Sequence, residues 1–141
     1  MHRPMGVNVL GVLMIVAGLG FAAVGFLFFF MGTTGASATA PTHGIVAAML
    51  AALGAAAGVI FLLFGALHVV LAIGIFRMRN VARVFTIFLF ILIGAGACLG
   101  SIATLLSYSH VALAWNGSLL AVDLLALWYL LRPETKAAFG A

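Results

Sequence analysis

The chain has 141 residues, 67% hydrophobic and 6% charged, whereas soluble domains carry roughly 25% charged residues. That composition excludes a soluble globular enzyme, which could not cover its surface, and a disordered chain, which needs low hydrophobicity and high charge. Six Lys and Arg against two Asp and Glu give a net charge of +4, too few cations for a nucleic-acid-binding face; an integral membrane protein is what remains.

A helix needs ~20 apolar residues to cross the hydrocarbon core. The first such stretch is about 7–31, preceded by Arg3. Gly11, Gly18 and Gly25 recur in it every seven residues, a spacing that lines one helix face with small residues for close packing. Phe26, Phe28, Phe29 and Phe30 cannot share a face and are expected to meet lipid or a neighbouring protein. The connection from Gly32 to Gly44 has no Lys or Arg, and its small-residue segment from Ala36 to Ala40 reads as an external loop. A cleavable signal peptide has an apolar core of only about 7–15 residues. The first run is longer, so it is expected to stay as a span.

The second run, 45–76, is rich in alanine at its start. At ~1.5 Å per residue it would reach ~48 Å, against ~30 Å of hydrocarbon. The helix is therefore expected to tilt or to project past the membrane at its first end, a separate short turn before Gly54 being the alternative. Ala51, Gly58, Gly65 and Ala72 repeat the seven-residue spacing, and Gly54 forms a GxxxG pair with Gly58. Three arginines follow, Arg77, Arg79 and Arg83.

The third run is 85–107, where Gly96 and Gly100 make another GxxxG close to Ser101 and Thr104. The lone cysteine, Cys98, lies in this run; it rules out an internal disulfide or a CxxC motif and reads as a small packing residue. A short turn around Ser109 and His110 leads to the fourth run, 111–131. Trp115, Trp128, Tyr108 and Tyr129 fall near span ends, where amphipathic rings favour the interface. The tail carries Arg132, Pro133 and Lys136, with Pro133 as a helix stop or the first residue of a new turn.

Continuous apolar runs satisfy their backbone as helices, since a barrel would show a two-residue period. The expected fold is all-α, a four-helix transmembrane bundle forming one membrane domain. Every Lys and Arg falls at one end of the four-span plan, which the positive-inside rule makes cytoplasmic, with both termini inside. Arg77, Arg79, Arg83, Arg132 and Lys136 thereby read as topology anchors facing lipid headgroups.

Ionisable groups within a bilayer are costly and raise a functional question. His68 and Asp123 each lie eight residues before the basic end of their span, a depth of about 12 Å. Asn116, seven residues before Asp123, shares its face. His68 and Asp123 are expected to meet, fixing helix register or handling protons. The histidines are too scattered for haem or zinc, so neither a metal nor a cofactor is expected. Ser107, Ser109 and His110 lack an acid on their side and do not form a hydrolytic triad. The sequon Asn116-Gly117-Ser118 lies within a span and carries no weight.

Three short stretches carry a resemblance. Arg3-Pro4-x-Gly6-Val7 opens the first span. Gly74-Ile75-Phe76-Arg77-Met78-Arg79-Asn80-Val81-Ala82-Arg83 joins the second to the third, and the chain closes with Tyr129-Leu130-Leu131-Arg132-Pro133-Glu134-Thr135-Lys136-Ala137-Ala138-Phe139. Together they resemble a group of small bacterial four-span inner-membrane proteins, in which the central loop often reads G-x-W-x-L-R-x-W-A-R. Phe76 and Val81 stand here in place of the two tryptophans. The resemblance implies the four-span plan and a bacterial cytoplasmic membrane, and brings no catalytic residue. The expected role is non-enzymatic: a structural or accessory subunit contacting lipid and other membrane subunits or its own copies. A small proton-coupled transporter or channel using Asp123 and His68 is the alternative.

Overall fold

A computed structural model describes residues 4–39, 44–106 and 110–140. The described residues are all-α: α1 (Met5–Thr39), α2 (Gly44–Phe76), α3 (Asn80–Leu106), α4 (His110–Leu131) and a short α5 (Pro133–Ala138). Four of these helices, α1 to α4, are long and apolar enough to cross a membrane. This is the architecture of a multi-pass integral membrane protein. The chain divides into two compact units, one of Gly11–Ile73 and one of Met1–Leu10 with Gly74–Ala141.

In the first of these units α1 and α2 pack through their small residues. An ideal Cβ on Gly18 would lie 2.9 Å from the Gly65 carbonyl oxygen, and one on Gly65 would lie 2.6 Å from that of Gly18. Gly25 and Gly58 face each other in the same way: a Cβ on Gly25 would be 2.8 Å from the Gly58 carbonyl oxygen, and one on Gly58 would be 2.7 Å from that of Gly25. Gly32 lies against Ala51 and Ala55, and Gly54 lies more loosely against Gly32. The two seven-residue series therefore meet position for position in antiparallel register, backbone against backbone. Lipid tails are as apolar as leucine, so dispersion across such a seam is what holds two helices together. Phe21 and Phe61 stack beside it at 6.1 Å, and Phe28 with Phe61 at 5.9 Å. Phe26, Phe29 and Phe30 point outward.

The seam explains one departure from expectation. Residues 33–39 continue α1 instead of forming a loop. Gly32 still packs on α2 there, and the Thr33 and Thr34 hydroxyls donate to carbonyls of the preceding turn, Thr33 to Phe29 and Thr34 to Phe30. The segment from Ala40 to His43 lies outside the described residues. α2 is one unbroken helix of 33 residues, about 50 Å long at 1.5 Å per residue, with no separate turn before Gly54.

In the other unit, α2 ends in a Schellman motif. The Arg79 N–H donates to the Gly74 carbonyl and the Met78 N–H to that of Ile75, which satisfies two carbonyls that the helix end would otherwise leave open. Met78 takes the left-handed conformation usual for glycine here, with φ of 53°. Gly74 lets the start of α3 approach, since a Cβ there would strike Ala82. α3 runs antiparallel to α4 and packs along it, and α4 leads into α5 through Arg132 and Pro133. Pro133 is the first residue of α5, which fixes the choice between a stop and a new turn.

Candidate functional site

The polar side chains within the spans fall into two groups. Most are satisfied by their own helix. Ser101 donates to the Ala97 carbonyl at 2.8 Å, Ser118 to that of Trp115 at 2.8 Å, and Thr104 to that of Ser101 at 2.9 Å. His68 behaves alike: it is buried beside the Gly18–Gly65 contact, and its Nδ1 lies 2.8 Å from the Phe64 carbonyl. A carbonyl has no proton to give, so Nδ1 is the donor. The imidazole also packs against Phe21, with ring centres 5.1 Å apart.

The second group is not satisfied. Among the described residues, three buried side-chain atoms have no hydrogen-bond partner: Thr86 Oγ1, Asp123 Oδ2 and Tyr129 Oη. All belong to the unit that contains α3, α4 and α5. Asp123 is 6% exposed and Thr86 wholly buried. Asp123 faces α3, where its Oδ2 would lie 3.9 Å from a Cβ on Gly94. Asn116 sits in the same seam, its amide 3.3 Å from where a Cβ on Gly100 would be. Asp123 and Asn116 thus line the α3–α4 contact at two successive levels. His68 belongs to the other unit.

Gly96 does not take part in this contact. A Cβ there would meet open space, so the expected Gly96–Gly100 pair is replaced by Gly94 and Gly100. Each residue turns ~100° around a helix. Gly96 falls about 20° from Leu89 and about 100° from Ala97 around the helix, at the edge of the buried stripe of Leu89, Phe90 and Ala97. Cys98 is likewise exposed rather than packed.

At the basic end, the five cationic side chains differ. Arg77 and Arg79 are exposed, as is Lys136. Arg132 lies over the Trp128 ring, 3.7 Å from its centre, a cation–π contact. Arg83 is buried: its Nε donates to the Leu130 carbonyl at 2.9 Å and its Nη1 to Asn80 Oδ1 at 3.1 Å. Arg83 is therefore a bracket between α3 and the end of α4, a role that its place in an arginine-rich turn does not announce. Thr86, one turn further along the same face, carries no sequence signal beyond being polar in an apolar run. The Tyr129 ring lies on Gly6, near the start of α1, where a Cβ would be 2.6 Å from the hydroxyl.

His43, Ser107, Tyr108 and Ser109 lie outside the described residues, and His110 is exposed at the start of α4. Among the described residues no three His, Cys, Asp or Glu side chains group as a metal site would require. No known protein family, characterised protein or solved structure matches this chain.

Proposed function

We propose that this chain is a non-enzymatic membrane subunit with a structural or accessory role, in a larger complex or in an oligomer of its own copies. The observation that carries this reading is how the intramembrane polar groups are bonded. The hydroxyls of Thr33, Ser101 and Ser118 and the imidazole of His68 each bond to a carbonyl of their own helix. Groups bonded in this way stabilise the helices but offer no continuous polar surface to a solute crossing the membrane. The one-sided basic residues and the resemblance at the chain's start, centre and end support a bacterial cytoplasmic membrane with both termini inside. Arg77, Arg79, Arg132 and Lys136 then face anionic lipid headgroups.

The unpartnered Oδ2 of Asp123 favours a second reading, a small proton-coupled transporter or channel with Asp123 and His68 as its ionisable groups. Carboxylates within a bilayer are rare and mark ion and proton pathways. Asp123→Asn separates the two readings, because it keeps the shape and removes the titration. On the accessory reading, the variant purified in mild detergent keeps the native mass of the wild-type assembly, and neither protein passes protons in vesicles. A monomeric wild type whose vesicles conduct protons only when Asp123 is present would replace the first reading by the second.

A further inference from the structure

The three unpartnered atoms are not scattered. Arg83 meets Leu130, Gly94 meets Leu120 and Asp123, and Gly100 meets Asn116, so residues paired across α3 and α4 have numbers that sum to about 215. That register places Thr86 opposite residues 127–131, level with Tyr129. Asp123 lies six residues deeper along α4, about 9 Å at 1.5 Å per residue. Arg83 lies three residues nearer the basic end than Thr86. From the basic end inward the residues come in the order Arg83, then Thr86 and Tyr129 at one level of the backbone, then Asp123, with the Tyr129 hydroxyl on the side that meets Gly6.

Leaving a polar atom unbonded in an apolar interior is costly, and interior waters that find several polar partners are the usual remedy. A hydroxyl that donates and accepts can pass a hydrogen-bonded chain onward, which a carbonyl cannot. Both hydroxyls here are without a partner, and along the helix axes the residues that carry them lie between Asp123 and the end at which the charged residues meet water.

We propose that the unit formed around α3, α4 and α5 binds a short file of waters from the basic end to Asp123, with the Thr86 and Tyr129 hydroxyls as its protein links. The file gives the Asp123 carboxyl proton exchange with the aqueous phase on that side. A proton on Oδ2 passes to the adjoining water while another returns, so no net charge is buried. The inference deepens the Asp123 reading above, but its test measures exchange and not transport, so each can fail alone.

The full chain in phosphatidylcholine–phosphatidylglycerol vesicles, held at acid pH, suits infrared spectroscopy because it has only two acidic side chains, Asp123 and Glu134. The carboxylic C=O band that disappears in Asp123→Asn is the reporter, and its shift after mixing with D2O gives the exchange rate. The wild type is expected to exchange within the mixing time. Thr86→Val and Tyr129→Phe are each expected to slow exchange about tenfold or more, because each breaks the file, and Thr86→Ser is expected to restore it. Thermal midpoints supply an independent readout. Removing a hydroxyl that waters satisfy lowers the midpoint, whereas removing a dry, unbonded one raises it. Wild-type exchange rates in both variants, a raised midpoint in both, or no Asp123 band at acid pH would each overturn the proposal.

Discussion

Gly58→Ala is expected to lower the stability of the purified protein by about 1–3 kcal/mol, the usual cost of forcing extra carbon into a closed contact. The new Cβ would lie 2.7 Å from both the Gly25 carbonyl oxygen and the Phe29 Cα, with the Phe29 backbone nitrogen nearer still. These are backbone atoms and cannot swing aside as the end of a side chain can. α1 and α2 must separate, and the loss extends along the seam to the Gly18–Gly65 and Gly32–Ala51 contacts. In a soluble protein, hydrophobic burial would hold the helices close despite a local clash. Between lipid-facing helices that force is missing, so lost packing is not replaced. Gly96→Ala is the matched control, since its Cβ meets open space, and it should leave stability unchanged or slightly higher. Unfolding midpoints in detergent of the two variants decide the matter. Equal midpoints for Gly58→Ala and the wild type would mean that the seam does not hold α1 to α2.

Arg83→Ala should cost roughly 2–3 kcal/mol, the range for a lost hydrogen bond from a charged donor together with the acceptor it strands. The stranded acceptor is the Leu130 carbonyl, and the break between α4 and α5 is why it needs a side-chain partner. Pro133 has no N–H, so the Tyr129 carbonyl is served by the Arg132 N–H at 3.3 Å. Arg132 then turns the chain, with ψ of 140°, and the next N–H groups belong to α5. The guanidinium Nε takes the place of the missing backbone donor. Lysine cannot reproduce a fork that reaches the Leu130 carbonyl and Asn80 Oδ1 together, so Arg83→Lys should recover only part of the loss. Exposed Arg79, one turn away, supplies the comparison: Arg79→Ala should change stability by no more than about 0.5 kcal/mol. If denaturant unfolding gives the two alanine variants the same stability, Arg83 is an ordinary surface cation.

The spans and the α1–α2 seam are legible in the residues because one physical rule governs each. A bilayer demands long apolar helices, and glycine or alanine recurring every seven residues falls on one helix face. The finer features depend on which neighbour a residue meets. Gly94 and Gly96 look alike in the sequence, and only the position of α4 makes the first a contact and leaves the second open. Arg77, Arg79 and Arg83 obey the same charge rule, yet the end of α4 reaches only Arg83. Residues 33–39 have the composition of a loop, yet they continue α1, with Gly32 packed on α2 just before them and the Thr33 and Thr34 hydroxyls bonded to the preceding turn. Met78 is hidden for a related reason: a left-handed C-terminal position is usually marked by glycine, and here a methionine occupies it. The hydroxyls of Thr86 and Tyr129 gain importance only from being buried without a partner.

The central claim is that the chain crosses the bilayer four times and gathers its basic residues on one side. Single cysteines at Arg79, Lys136 and Val111, each placed in a Cys98→Ala background, can be labelled in sealed vesicles with a membrane-impermeant maleimide. Arg79→Cys and Lys136→Cys should react from one and the same side, and Val111→Cys, at the start of α4, from the other. Labelling of Arg79→Cys and Lys136→Cys from opposite sides would contradict the four-span plan and the placement of the basic end on which the Asp123 proposal depends.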